Sequence, residues 1–158
     1  MDTTLFSDGQ IDFLETAADH RLFHRISACM TAELREGGHD QPEGSLRAED
    51  LPHARVIFAM GDLSIQGMIV ISLPADGDTV RLYRLWVAPS ARRSGLGRAL
   101  MMRAEHVVAQ RGGRIIEFDT GQDLIPAVAL YRRLDYKEQP LLERSPRSLL
   151  FRKSLVGR

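Results

Sequence analysis

Residues 84–100, Arg-Leu-Trp-Val-Ala-Pro-Ser-Ala-Arg-Arg-Ser-Gly-Leu-Gly-Arg-Ala-Leu, constrain this chain more than any other stretch. They read as a strand, a turn and the start of a helix. Val80, Leu82, Tyr83, Leu85, Trp86 and Val87 crowd apolar, aromatic and β-branched side chains into eight positions, which predicts a strand over 80–88. Pro89 ends it, having no N–H for a ladder. From Leu96 the spacing turns helical, with Leu100, Ala104 and Val107 or Val108 on one stripe. The turn between them, Arg92-Arg93-Ser94-Gly95-Leu96-Gly97, has the makings of an anion cradle. The first N–H groups of a helix have no partner within it, and the helix dipole adds partial positive charge there. Gly95 and Gly97 carry no side chain to keep a phosphate from the backbone. Arg92, Arg93 and Arg98 surround the spot with fixed positive charge. A phosphate-bearing cofactor at a strand-to-helix turn is the expected ligand.

The glycine pattern narrows the cofactor. A dinucleotide fingerprint needs a third glycine, and position 100 is Leu; the Gly-Lys-Ser/Thr ending of a phosphate loop is absent too. The segment resembles the acetyl-CoA loop of the GNAT N-acetyltransferase superfamily, Arg/Gln-x-x-Gly-x-Gly/Ala, matched without a gap by Arg92, Gly95 and Gly97. The preceding Arg-Leu-Trp-Val-Ala-Pro resembles the fourth strand of that family. The resemblance implies acetyl-CoA as co-substrate, held by Leu85, Trp86, Val87, Arg92, Arg93, Ser94, Gly95, Leu96, Gly97, Arg98 and Ala99. The backbone of Leu85–Val87 would bond the pantetheine arm and polarise the thioester carbonyl, and a fixed N–H aimed at developing negative charge is a large catalytic term. The acceptor, an amine of a small molecule or a protein, would attack directly with both substrates bound. Residues 120–136, Thr-Gly-Gln-Asp-Leu-Ile-Pro-Ala-Val-Ala-Leu-Tyr-Arg-Arg-Leu-Asp-Tyr, resemble the block carrying the family's thiolate-protonating tyrosine. Tyr131 takes that place as the catalytic residue. A phenol of pKa about 10 can serve a thiolate whose acid lies near 8.5; the competing role for Tyr131 is packing against the sheet.

Three residues depart from the family pattern. Leu124 stands where Asn or Gln often contacts the cofactor. Asp135 replaces a glycine, and Asp tolerates the left-handed backbone such a turn needs. Arg81 stands where many relatives carry a glutamate acting as general base. An amine of pKa about 10 is mostly protonated at neutral pH, so something must accept a proton. Strand alternation places Glu117 and Asp119 on one face. They either point into the site or form a surface pair balancing Arg114 and Arg132, with a water chain as base. A non-catalytic acyl-CoA-binding domain of the same fold is the alternative function: the loop supports both, Tyr131 favours the enzyme, and Arg81 and Leu124 favour the binder.

With 158 residues the chain is one domain, 1–158. A content of 44% hydrophobic and 27% charged residues suffices for a core and excludes disorder by composition. No apolar run nears the roughly 18 residues that span a bilayer, and the acidic amino terminus is no signal peptide. One cysteine, Cys29, allows no internal disulfide, so a cytoplasmic location is expected, with Cys29 as a small packing residue. The net charge of zero hides an asymmetry. Residues 1–80 hold 5 Arg and 14 Asp plus Glu, a balance of −9; residues 81–158 hold 16 Lys plus Arg and 7 Asp plus Glu, a balance of +9. The basic half suits an anionic cofactor. The acidic half either draws a cationic acceptor or cancels against the basic one. The arginines cluster without interleaved aromatics, so no nucleic-acid partner is expected. No metal is expected: His20 and His24 lie four apart but lack a third ligand. The oligomeric state stays open, a homodimer included.

In chain order, residues 1–10 offer a short strand or a frayed end, and a helix is expected over 11–36 with Phe23, Ile26, Met30 and Leu34 on its apolar face. A Gly- and Pro-containing loop covers 37–53, with a short helix near 46–51. Strands over 55–60 and 64–73 follow, joined at Gly61-Asp62, with Gly67 marking a bulge or a close backbone approach. They make an antiparallel meander with the 80–88 strand. The cofactor helix ends at Gly112-Gly113. A strand over 114–119 is expected parallel to 80–88, because the chain crosses by a helix. A second helix over 124–134, with Asp123 as N-cap, precedes two closing strands over 135–139 and 148–152. The order is that of an α/β mixed sheet with helices on both faces. Together with the resemblance it implies a mostly antiparallel sheet with a V-shaped split between strands four and five.

Overall fold

The computed structural model describes residues 3–7, 11–39, 51–73, 77–140 and 147–156. The expected short helix near 46–51 and the Pro146 loop lie wholly or mostly outside them. One eight-stranded sheet carries three helices. The strands are β1 (Thr4–Ser7), β2 (Asp12–Ala17), β3 (Ala54–Met60), β4 (Ile65–Ser72), β5 (Thr79–Val87), β6 (Ile115–Gly121), β7 (Lys137–Gln139) and β8 (Ser148–Ser154). Their order across the sheet is β1-β2-β3-β4-β5-β6-β8-β7, and among the described residues only β5 and β6 run parallel. The helices are α1 (Arg21–Glu36), α2 (Leu96–Gln110) and α3 (Ile125–Arg133).

The helix expected over 11–36 is corrected in its first third. Residues 12–17 form β2, paired with β3 from Asp12↔Met60 to Ala17↔Arg55. Leu-Glu-Thr-Ala can continue a helix locally; a neighbour some forty residues away draws it into the sheet instead, because pairing satisfies its backbone and buries Phe13. Glu15 goes inside with it and is bonded by Arg55 at 3.1 Å and by Arg111. Helix α1 starts only at Arg21, where the His20 ring nitrogen accepts the Leu22 N–H. On α1, Phe23 and Ile26 are buried as expected, while Cys29 is exposed and so is no packing residue.

Two cores lie on the two sheet faces. Val56, Phe58, Met68, Val70 and Trp86 face α1. Ile57, Ile69, Ile71, Val80, Leu82, Ile116 and Phe118 face α2 and α3. Covered on both sides, β3 and β4 are apolar at nearly every position rather than alternately. Helix α2 crosses β4 at Gly67: a Cβ there would stand 2.7 Å from Leu100 Cδ1 and 3.0 Å from Trp86 O. The expected close approach is therefore real. Asp135 takes the left-handed backbone, φ 66°, between α3 and β7.

The sheet opens between its two parallel strands. Strands β5 and β6 pair over three residues only, from Thr79↔Ile115 to Arg81↔Glu117. Beyond that point β5 stays with β4 up to Gly67↔Val87, and β6 stays with β8 down to Gly121↔Ser148. Each strand follows its outer neighbour, so the two part in a V. The register of β4 against β5 shifts between Met68 and Val70, where Arg84 and Leu85 share one partner residue, a bulge with Arg84 at φ 51°. The strand resembling the family's fourth is the fifth here, one place later in the count: β1 and β2 lie in residues 4–17, ahead of β3 and β4.

Candidate active site

The split presents an unpaired strand edge. Past Arg81, the backbone groups of β5 that would face β6 have no strand partner among the described residues, and an unpaired amide edge seeks another donor or acceptor. Leu85, Trp86 and Val87 form this border. The apolar side chains of Leu85 and Val87 pack towards α2 and α3, and the Trp86 indole packs towards α1.

At the far end of the border a short 3-10 turn, Pro89–Ala91, leads into the cradle. Gly95 is left-handed, φ 84°, with no atom within 4 Å of where a Cβ would sit. It turns the chain so that α2 begins at Leu96. Ala99 is the first residue whose N–H reaches back, to Gly95 O at 3.0 Å. Leu96, Gly97 and Arg98 precede it in the first turn, and their N–H groups are open to a ligand. Arg93, also left-handed at φ 61°, and Arg98 are exposed. Open space above Gly95, free amides and two exposed guanidiniums fit a pyrophosphate.

Several expected contacts are refined. The Leu96 side chain is buried in the core, so only its backbone can serve a ligand. The missing side chain of Gly97 faces Leu130 Cδ2 at 3.3 Å and Val87 Cγ2 at 3.7 Å, so this glycine lets α3 and β5 approach α2. Ser94 Oγ donates to Ala91 O within the loop, and Ala99 packs against the core. Arg92 is committed elsewhere: its Nε donates to Val87 O at 3.0 Å and its Nη2 pairs with Glu33 on α1. Glu33 also accepts from Trp86 Nε1 at 2.9 Å. Burial works to raise the Glu33 pKa, but the hydrogen bonds from Arg92 and Trp86 outweigh it and hold the carboxyl below its usual range. Sequence reasoning missed Glu33. On a helix pattern it is one more exposed-face acid, and only the packing of α1 across β5 shows its role.

On the other border, Arg81 Nη2 bonds Asp119 Oδ2 at 2.6 Å and Arg81 Nη1 lies 3.8 Å from Glu117. Glu117 also pairs with Arg152 at 3.2 Å. The two carboxylates thus have Arg81 and Arg152 as partners, not Arg114 and Arg132; Arg132 pairs with Glu138. The arginine at the expected glutamate position supplies the counter-charge across the last rung of the ladder. Asp123 is not the α3 cap: Leu124 is, without a side-chain bond. Asp123 instead bonds His39 Nδ1 at 2.7 Å, which holds its carboxyl below the usual range. Tyr131 lies buried edge-on against Phe118, ring centroids 4.5 Å apart. Burial pushes its phenol well above the ordinary value, so it stays protonated.

Comparison with known proteins decides the family. The acetyltransferase (GNAT) family model matches residues 13–136. The chain belongs to the GNAT acetyltransferase family. The streptothricin acetyltransferase of Streptomyces lavendulae is 27% identical over 101 residues, covering 64% of this chain and 53% of that protein. The chain therefore spans about half that relative's length. A GNAT-family acetyltransferase from Staphylococcus aureus Mu50 shares the fold with TM-score 0.70 at 14% identity, covering 92% of this chain and 99% of that one. A Bacillus subtilis acetyltransferase in complex with CoA superposes with TM-score 0.60 at 20% identity, over 68% of this chain and 81% of that one. Among the described residues no helix is long and apolar enough to cross a membrane.

Proposed function

We propose that this acetyltransferase moves an acetyl group from acetyl-CoA to a primary amine, on a small molecule or a protein, with both substrates bound at once. The observation that supports it most is the split itself: an unpaired β5 edge that ends on the free amides of α2. In this reading acetyl-CoA supplies the acetyl group as an activated thioester. The amides of Leu96, Gly97 and Arg98, with Arg93 and Arg98, hold the pyrophosphate. The backbone of Leu85–Val87 binds the pantetheine arm and offers N–H groups to the carbonyl oxygen. Val87 O already accepts from Arg92 and keeps one lone pair for this.

Tyr131 is the proposed proton donor to the departing thiolate. Its hydroxyl has no hydrogen-bond partner among the described residues, so it is free to donate to the sulfur; burial raises its pKa, which keeps the phenol protonated at rest and makes full transfer to the thiolate more uphill, so the donor acts through a hydrogen bond to the sulfur as its charge develops. Glu117 and Asp119, on the β6 border, are the carboxylates that would take the amine's proton, directly or through water. The test is CoA release from acetyl-CoA with a panel of amines. Tyr131→Phe should fold with unchanged stability, keep the KM for acetyl-CoA and lose about 100-fold or more in kcat. Tight acetyl-CoA binding with no turnover on any amine would overturn the proposal.

A further inference from the structure

Arg84, half-buried beside the split, has no counter-charge among the described residues. Arg55, Arg81, Arg92, Arg111, Arg132 and Arg152 each pair with a carboxylate. Arg84 makes no ion pair and no hydrogen bond among the described residues, although its Nε is shut off from solvent. Burial accordingly works against its charge and lowers its pKa from the ordinary value. A half-buried guanidinium without a partner costs stability, because water is lost and nothing replaces it. Its backbone adds to the cost: φ is 51° for a residue with a long side chain.

Its place is informative. Arg84 lies on β5 three residues past the last rung with β6, at the bulge that begins the unpaired border. The border residues Leu85–Val87 separate it from the phosphate cradle, about 10 Å at roughly 3.3 Å per strand residue. The cradle has its own arginines, so the phosphates of the cofactor do not call on Arg84.

Resting on the acetyl-transfer reading, we propose that Arg84 binds a carboxylate of the acceptor, so that the acceptor is an amino acid or another small amine bearing a carboxylate. A guanidinium presents a planar fork of donors that matches a carboxylate in a two-point contact, and it keeps its charge at any physiological pH. Such a contact would hold the acceptor by one end and leave its amine free beside Leu85–Val87.

Matched pairs of free amino acids and their amides, which differ in the carboxylate alone, test this. With wild-type protein the better acids should exceed their amides about 10- to 100-fold in kcat/KM. Arg84→Gln should bring that ratio close to one, leaving kcat/KM for the amides and KM for acetyl-CoA unchanged. Arg84→Asn, whose side chain suits the left-handed backbone, is the second variant should the first fold poorly. Equal rates on acids and amides in the wild type overturn the proposal. So does an equal loss on both in the variant, or a loss of acetyl-CoA affinity, which would assign Arg84 to the cofactor. Should no amine of either kind be acetylated, the transfer reading fails, and carboxylate recognition is judged by binding alone. Amino acids are then titrated into CoA-loaded protein by saturation-transfer NMR. Binding to wild type but not to Arg84→Gln upholds the Arg84 site, and no binding to wild type ends it.

Discussion

Replacing Gly95 by Asp and by Ala separates the phosphate cradle from the folding of the loop that carries it. Gly95 has φ 84° and nothing within 4 Å of a prospective Cβ, so neither substitution creates a clash. What remains is the left-handed backbone, about 1–2 kcal/mol for Ala and less for Asp, whose short polar side chain tolerates it. At about 2–4 °C per kcal/mol for a chain of this size, Ala should lower Tm by about 2–8 °C and Asp by less. Acetyl-CoA binding should reverse that order. An Asp carboxylate about 5 Å from a phosphate charge, at an effective dielectric near 20, is repelled by about 3 kcal/mol before screening. Salt and solvent reduce this to about 1.5–2 kcal/mol, a loss of roughly 10- to 30-fold in Kd. Ala adds no charge and should bind within about threefold of wild type. Calorimetric titration at low and high salt reads both effects, and the Asp penalty should shrink as salt rises. If Gly95→Asp binds acetyl-CoA as tightly as Gly95→Ala, the phosphates do not rest at this turn.

Two further outcomes follow from the ion pairs. Glu33 has a depressed pKa, so its contribution is complete above the unfolded value of about 4.3 and is lost as pH falls through the depressed one. The emission of Trp86, the chain's one tryptophan, should change with a midpoint below about 4.3, and Glu33→Gln should abolish that step. A midpoint at or above that value contradicts the bonding described. Separately, Lys153 is buried with its ammonium 2.7 Å from Glu105, which also accepts from the Tyr136 hydroxyl at 3.0 Å. Glu105→Leu leaves that ammonium without its acid and should cost about 3–5 kcal/mol by urea unfolding. Adding Lys153→Met should restore most of it; a single variant as stable as wild type would show the pair to be idle.

Much of the frame of the candidate site was legible because it is local. The left-handed turn at Asp135, the strand-turn-helix step at Gly95, the Leu100–Ala104–Val108 stripe of α2 and the parallel step from β5 to β6 each depend on a few neighbouring residues. What escaped depends on partners distant in sequence. Residues 12–17 look helical until β3 lies beside them. Asp123 looks like a cap until His39 arrives from the end of α1. Gly97 looks like a gap left for phosphate until Leu130 is seen against it. Glu117 and Asp119 show their common face by alternation, but not that Arg81 and Arg152 are their partners.

The sequence by itself determined the family, the strand-turn-helix cradle and the acetyl-CoA expectation, because those rest on backbone chemistry and spacing within about twenty residues. Only the tertiary structure decided where the sheet opens, which arginines are neutralised and that Arg84 is half-buried without an acid among the described residues. Charge and burial are properties of neighbours in space. The chain brings Glu33 to Arg92 and Asp119 to Arg81, and Arg84 to no acid among the described residues, only when the sheet has closed around its two cores.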